Sequence, residues 1–97
     1  MKKPQRGNNL RKLRHDLGLN QHDFWSAVGV TQSGGSRYET GRSMSRPVSE
    51  LVRLVHMEGI DLKSARGDHM LAGAELKRSN AALYQKLLQQ ARARRKR

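Results

Sequence analysis

The sequence predicts an all-α protein with four to five short helices and an added C-terminal helix. Three observations support this fold class. Apolar residues recur at intervals of three and four, as they do along one face of a helix. Glycines and side chains suited to helix capping divide the chain at short intervals. No segment alternates between polar and apolar residues as a half-buried strand does. With 97 residues, the chain can bury one small core.

The first two helices are predicted before residue 30. The first ends at Gly18, and its apolar stripe consists of Leu10, Leu13 and Leu17. Asn20 is placed to cap the second helix, with Asp23 three residues later as in a capping box. The second helix ends at Gly29, and its apolar residues are Phe24, Trp25 and Val28.

The next two helices complete the predicted core. Thr31 is placed to cap a third helix that runs to about Thr40, and a polar loop follows over residues 41–46. Pro47 suits the first turn of a fourth helix that ends at Gly59, after which Ile60 and Leu62 are expected to fold back onto the core. The stripe of the fourth helix is Val48, Leu51, Val52 and Val55. The spacing predicts core packing for Phe24, Val28, Tyr38, Leu51 and Val55.

The chain divides into four predicted segments. Residues 1–8 form a flexible basic arm, 9–62 the helical domain, 63–73 a partly helical linker, and 74–97 a C-terminal helix to about residue 93 with a basic tail. The C-terminal helix is expected either to dimerise or to dock on its own domain, and its apolar surface is wide enough for both. The predicted dimerisation residues are Leu76, Leu83, Tyr84, Leu87 and Leu88. The tail from residue 92 is expected to be disordered and to add non-specific affinity for phosphates, or only solubility.

The charge balance indicates a polyanionic partner. Twenty basic and eight acidic residues give a net charge of +12, and nucleic acid is the first candidate; a basic surface without any partner is the alternative. The chain has no cysteine, and its four histidines show no paired ligand spacing, so neither a metal nor another cofactor is expected. No apolar run approaches the ~18 residues of a membrane span. The N-terminus lacks the apolar stretch of a signal peptide, and a cytoplasmic protein, associated with the nucleoid when bound to DNA, is expected.

The carboxylates do not indicate an enzyme. None of the eight forms a close acid–base set with a histidine. His22 and Asp23 are adjacent in sequence and are expected to point apart on a helix.

The spacing within residues 20–40 indicates a helix-turn-helix. Two helices of about eight residues are separated by a turn of roughly four, with Gly29 where a positive φ is needed. Two helices joined in this way cross steeply, so that the second can enter the major groove of duplex DNA. Residues 32–39 are therefore the predicted recognition helix.

The same stretch resembles the phage repressor and Cro-like helix-turn-helix family, often called the XRE family. The resemblance covers residues 9–62 and is carried by Leu-Gly-Leu-Asn-Gln at 17–21, Gly-Val-Thr-Gln-Ser at 29–33 and Arg-Tyr-Glu-Thr-Gly-Arg at 37–42. It implies a lambda-repressor-like fold and a sequence-specific transcription regulator. Such a regulator is expected to bind a palindromic operator as a homodimer, with half-sites about one DNA turn (~34 Å) apart.

The resemblance also implies roles for individual residues. Those expected to read bases are Thr31, Gln32, Ser33, Ser36 and Arg37. Those expected to contact the DNA backbone are Asn20, Gln21, Arg14, Arg42, Ser43 and Arg46. Glutamine can pair bidentately with adenine and arginine with guanine. Arg14 and Glu39 match a pair that joins the first helix to the recognition helix. Without the surrounding motif, Gln32 and Ser33 would be read as solvated surface.

Two positions depart from the family pattern. The family normally has a small residue at the position of Trp25 and Ile or Val at that of Gly35, which here follows Gly34. One hypothesis is a size exchange, in which the indole fills the space left by the absent branched side chain. The alternative is that the glycines allow the backbone to approach DNA closely.

Three classes of function remain open. The first is an autoregulatory repressor of the kind described above. The second is an antitoxin-like interaction protein whose C-terminal helix binds a protein partner, with DNA binding secondary. The third is compaction of nucleic acid without sequence preference, driven by charge.

Overall fold

The computed structural model of the protein describes residues 8–95, which contain helices and turns and no strand. The prediction of an all-α fold is confirmed. The chain divides into two units, with the boundary between Leu62 and Lys63. The helices are α1 (Asn8–Asp16), α2 (Gln21–Ser26), α3 (Gln32–Glu39), α4 (Arg46–Val52), α5 (Gly67–Ser79) and α6 (Ala81–Arg95).

Side-chain caps set the starts of α2 and α3. The Asn20 side chain accepts a hydrogen bond from the Asp23 backbone N–H at 2.7 Å. The Thr31 hydroxyl accepts one from the Gly34 N–H at 3.1 Å. Both caps are as predicted, and each satisfies a backbone donor that lacks a partner within its helix. Between them, Gly29 adopts a φ of 76°, a conformation that favours glycine and ends α2 at the turn of the motif.

The core of the first unit lies between α1, α2, α3 and α4. Its buried hydrophobic residues are Leu10, Phe24, Trp25, Val28 and Val52. The other predicted core residues, Tyr38, Leu51 and Val55, are partly buried and pack against this cluster. The prediction for Leu62 is wrong, because its side chain is 42% exposed. The chain returns as far as Ile60, whose N–H donates to the Leu54 carbonyl at 2.9 Å, and then leaves the core.

A histidine in the π-helical turn that follows α4 packs against the end of α2. Beyond α4 the chain continues as a π-helical turn, Arg53–Met57. The His56 ring stacks on Phe24 with 3.8 Å between the ring centroids, and its Nε2 lies 2.8 Å from the Phe24 carbonyl oxygen. Val28 N–H donates to Trp25 instead, so the histidine satisfies a carbonyl left open at the helix end. Burial lowers the pKa of His56 despite this hydrogen bond, which favours a neutral ring donating from Nε2.

The second unit consists of two helices that bury no residue. The continuous helix predicted from residue 74 to about 93 is wrong: Asn80, with φ −151° and ψ 78°, separates α5 from α6. The Asn80 side chain accepts a hydrogen bond from the Leu83 N–H at 3.1 Å and so caps α6. An asparagine that can bond a nearby backbone donor competes with helix continuation, even where glycine and proline are absent.

The remaining segment predictions are also changed by the helix bounds. The predicted linker over 63–73 is partly α5, which begins at Gly67. The tail expected to be disordered from residue 92 is helical through Arg95. Asn8 belongs to α1, and the other residues of the predicted basic arm lie outside those described.

Candidate nucleic-acid interface

The outer side of α3 is polar and accessible. Gln32, Ser33 and Arg37 are exposed, and Ser36 is half-buried. Thr31, at the start of the helix, is exposed, with its hydroxyl used as the cap. The structure therefore brings the five predicted base-reading residues together on and beside one short helix.

The inner side of α3 is closed by α2. Gly35 and Glu39 are buried, and Tyr38 is half-buried with its ring centroid 5.4 Å from that of Trp25. A Cβ built on Gly35 would lie 2.6 Å from Trp25 Cδ2 and closer still to Cγ and Cδ1. The indole therefore occupies the space of any side chain at residue 35. This confirms the size-exchange hypothesis for Gly35, which faces the core.

A buried carboxylate joins the three helices of the interface. Glu39 is 1% exposed, and its Oε2 accepts hydrogen bonds from Trp25 Nε1 at 2.7 Å and from Arg14 Nε at 3.0 Å. Arg14 Nη2 donates to Oε1 at 3.0 Å, which makes the Arg14 pairing bidentate. Arg11 Nε lies 3.7 Å from Oε1. The predicted pair of Arg14 with Glu39 is therefore present. Glu39 also has two partners that the sequence does not predict, Trp25 and Arg11.

The partners control the charge of Glu39. Burial by itself raises the pKa of a carboxyl group, and here that is the largest single influence. The donors Arg14 and Trp25 together outweigh it and hold the pKa of Glu39 below its usual value of 4.5. The carboxylate is thus ionised at neutral pH although it is buried.

The Arg14 side chain is mostly buried, and its hydrogen bonds are made within the protein. Its side chain is 12% exposed. Besides Glu39, it donates from Nη1 to the Leu19 carbonyl at 3.2 Å. These contacts tie α1 to the segment before α2 and to α3. The predicted contact between Arg14 and a DNA phosphate stays a prediction.

The other predicted backbone-binding residues lie at the two ends of the motif. Asn20 is exposed beside Gln21, which is half-buried and accepts a hydrogen bond at Oε1 from Gln32 Nε2 at 3.4 Å. At the far end, the Arg42 N–H donates to the Arg37 carbonyl at 3.0 Å, so the loop begins directly against α3. Arg42 and Ser43 are exposed in this loop, and Arg46, the last residue of the predicted loop, is exposed as the first residue of α4. Within residues 8–95, neither Arg37 nor Arg42 forms an ion pair.

The predicted dimerisation residues lie on α5 and α6. Leu83 and Leu87 are exposed, and Leu76, Tyr84 and Leu88 are half-buried. Met70 and Leu71 on α5 are also exposed, Leu71 by 72%. The sequence does not predict a role for these two residues, because its glycines indicate a linker where the structure has α5.

No other chemistry is assembled in the part of the chain that the structure describes. The prediction that His22 and Asp23 point apart is wrong, because His22 Nδ1 lies 3.3 Å from Asp23 Oδ1 at an exposed position. Residues 8–95 hold no cluster of three or more metal-ligating side chains. None of the helices in this range has the length and apolar character needed to span a membrane.

The fold and this interface define a helix-turn-helix domain of the DNA-binding transcription regulator class. Comparison with protein families agrees: the family model of the RsaL-like HTH domain matches residues 11–55. This range includes α1 from Arg11, all of α2, α3 and α4, and the π-helical turn as far as Val55. No curated protein and no solved structure matched the chain.

The contact between Trp25 and Gly35 can be tested by adding one methyl group. Gly35→Ala is expected to lower the free energy of unfolding by about 1–3 kcal/mol, the usual cost of overpacking, although alanine favours a helix by ~1 kcal/mol. The matched control is Gly34→Ala, whose Cβ would lie 3.2 Å from Thr31 Oγ1 and is expected to change stability by less than ~1 kcal/mol. Denaturant unfolding followed by the fluorescence of the single tryptophan, Trp25, measures both. A Gly35→Ala variant as stable as the parent would contradict the packing.

The ionised state of Glu39 predicts a sensitivity to acid. The free energy of unfolding should fall as the pH drops below about 4.5, because the unfolded carboxyl group takes up a proton before the folded one does. Above that pH the contribution is complete. Glu39→Gln is expected to reduce this dependence and to lower stability by up to about 3–5 kcal/mol, because Arg14 loses its charged partner. Asp16→Asn, which removes an exposed carboxylate, is the control and should retain the dependence. Equal acid dependence in Glu39→Gln and the parent would refute this role.

Proposed function

We propose that the chain is a sequence-specific transcription regulator that binds duplex DNA with α3 in the major groove and represses its own operon. The proposal rests on the difference between the two sides of α3, one packed against the core and the other exposed and polar. Its inner side is fixed by Trp25 and Glu39. Its outer side presents the exposed polar side chains of Gln32, Ser33 and Arg37. Such a regulator would act in the cytoplasm, on the nucleoid, and fits the description of a phage repressor or XRE-type protein.

Base reading is assigned to the outer side of α3. Gln32 and Arg37 have the chemistry to pair bidentately with adenine and guanine, respectively. Ser33 and Ser36 are short enough to let the helix backbone approach the base edges, and their hydroxyls can donate or accept. Thr31 lies at the end of α3 that would lead into the groove. A good bidentate contact discriminates between bases by ~1–3 kcal/mol.

Backbone binding is assigned to the flanks of α3. Asn20 and Gln21 lie before it. Arg42 and Ser43 in the following loop and Arg46 at the start of α4 lie after it, so phosphates on both sides of the groove can be contacted. Arg14 of α1 is also assigned to a DNA phosphate, while it keeps its hydrogen bonds to Glu39 and to the Leu19 carbonyl. The net charge of +12 adds attraction that does not depend on sequence.

A homodimer is proposed through the second unit. α5 and α6 bury no side chain of their own, yet expose large apolar residues including Met70, Leu71, Leu83 and Leu87. Helices of this length are marginal in water without packing. A second copy would cover these residues and pair two recognition helices on a palindrome with half-sites ~34 Å apart.

A second candidate function has one observation in its favour. Residues 63–95 carry eight basic and two acidic side chains, so two copies of this unit repel each other electrostatically. An acidic protein with an apolar face would cover the same surface without that repulsion. In this alternative the protein is an interaction partner of the antitoxin kind, and its DNA binding is secondary.

Selection of duplexes from a random pool tests the DNA-binding proposal. The expected result is a palindrome with fixed half-site spacing. Arg37→Ala should then reduce the preference at particular base pairs by about 5- to 150-fold, the factor that corresponds to one base contact. Arg42→Ala should weaken binding to all duplexes alike and flatten the salt dependence. Equal affinity for every duplex would instead support charge-driven compaction, and identical behaviour of the two variants would refute the division between reading and anchoring residues.

Removal of the second unit separates the two candidate functions. A chain ending at Leu62, the last residue of the first unit, is expected to be monomeric in analytical ultracentrifugation, whereas the full chain is expected to be a dimer. Helicity per residue of the truncated chain, measured by circular dichroism, checks that the first unit remains folded. A truncated chain that is still dimeric would place the dimer contact elsewhere. A monomeric full chain that binds an acidic protein through residues 74–97 would favour the interaction partner.

A further inference from the structure

Two arginines of α1 approach the buried carboxylate of Glu39. Arg11 and Arg14 are three residues apart, so they lie on the same side of α1, and this side packs against α3. Arg14 donates to both carboxylate oxygens at 3.0 Å. Arg11 approaches only Oε1, with its Nε at 3.7 Å, which makes an ion pair but no hydrogen bond.

The two arginines differ in exposure and in the use of their donors. The Arg14 side chain is 12% exposed, whereas that of Arg11 is 45% exposed. Arg14 donates three hydrogen bonds within the protein. The side chain of Arg11 donates none within residues 8–95, so the five N–H groups of its guanidinium can be donated to a ligand.

The charge of the cluster is not balanced. Glu39 already accepts two hydrogen bonds from Arg14 and one from Trp25, and these donors hold its pKa below the usual value. With Arg11 included, two guanidinium groups meet one carboxylate, so a net positive charge remains. That charge is accessible at Arg11, because the other members of the cluster are buried or nearly so.

Arg11 lies at the end of α3 from which the backbone-binding loop leaves. Its partner Glu39 is the last residue of α3. At the same end the Arg42 N–H donates to the Arg37 carbonyl at 3.0 Å. The side chains of Arg37 and Arg42 are exposed and form no ion pair within residues 8–95, so positive charge is concentrated at this end of the motif.

From this arrangement we infer that Arg11 binds a DNA phosphate on the side of the groove assigned to Arg42, with its guanidinium positioned by the ion pair with Glu39. The planar guanidinium can donate two parallel hydrogen bonds to phosphate oxygens. Glu39 would thus serve two arginines, Arg14 within the fold and Arg11 at its surface. The inference rests on the proposed seating of α3 in the major groove and adds a contact from α1 to it.

The salt dependence of binding tests this contact. The duplex selected by the parent chain is titrated by fluorescence anisotropy at several salt concentrations. Arg11→Gln is expected to weaken binding about tenfold for each bound chain, the effect of losing one hydrogen bond to a charged group. The slope of log K against log salt should fall in magnitude by about 0.9 for each bound chain. Arg11→Lys, which keeps the charge, should retain most of this slope.

Base preference is measured on the same variants. Phosphate contacts carry no sequence information directly, so Arg11→Gln should weaken binding to all duplexes by the same factor. The preference at the base pair whose discrimination is lost in Arg37→Ala should therefore be that of the parent chain.

Lys12→Gln is the matched control. Lys12 is the next residue of α1, is 74% exposed and pairs with Asp16 at 2.9 Å. The variant removes one charge from the same helix on a different side, and it should leave the slope nearly unchanged.

Neutral methylphosphonate linkages, introduced one at a time into the selected duplex, locate the phosphate. At the linkage bound by Arg11, neutralisation should weaken binding of the parent chain and of Lys12→Gln but not of Arg11→Gln. The free energy of unfolding of each variant checks that the fold is retained.

The outcomes separate this inference from the proposed function. If Arg11→Gln loses no more affinity or slope than Lys12→Gln, the inference is overturned and sequence-specific binding is unaffected. It is also overturned if Arg11→Gln is less stable but keeps the methylphosphonate profile of the parent, because Arg11 would then only support Glu39. If the parent chain selects no sequence, both the inference and the proposed function fail.

Discussion

The recognition helix depends on one buried charge. Glu39 lies at the end of α3, is almost fully removed from water, and is held by Arg14 from α1 and by the indole of Trp25 from α2. An unpaired carboxylate in this position would be strongly destabilising, so the three helices are stable together only when these donors are in place. The pair therefore favours one arrangement of α1, α2 and α3 over other compact ones.

The packing of α2 against α3 is linked to the same buried carboxylate, because Trp25 of α2 is one of its hydrogen-bond donors. The Trp25 ring lies over Gly35 and occupies the space of a side chain there, and in this position its Nε1 donates to Glu39. Two successive glycines weaken the intrinsic helix propensity of α3 by ~1 kcal/mol each relative to alanine. The bidentate ion pair, the buried indole and the Thr31 cap offset this loss. Packing thus stabilises a helix of only eight residues while its outer side remains exposed.

The two units of the chain differ in how they are stabilised. The first has a core of fully buried side chains and a charged pair beneath its polar surface. The second has the Asn80 cap and surface pairs, such as Arg78 with Glu75 and Lys77 over the Tyr84 ring, but α5 and α6 contain no buried residue. Contacts of this exposed kind contribute little to stability. The second unit therefore depends on a partner surface in a way that the first does not.

The sequence alone determined the fold class, the caps at Asn20 and Thr31, the turn at Gly29 and the outward residues of α3, because each depends on local spacing and backbone chemistry. A known motif also gave the pair of Arg14 with Glu39. Only the tertiary structure decided that Trp25 shares that carboxylate, that Gln21 meets Gln32, and that His56 closes α2. Each of these contacts joins residues at least 11 positions apart on different helices. Helical periodicity gives the face on which a residue lies but not the partner opposite it.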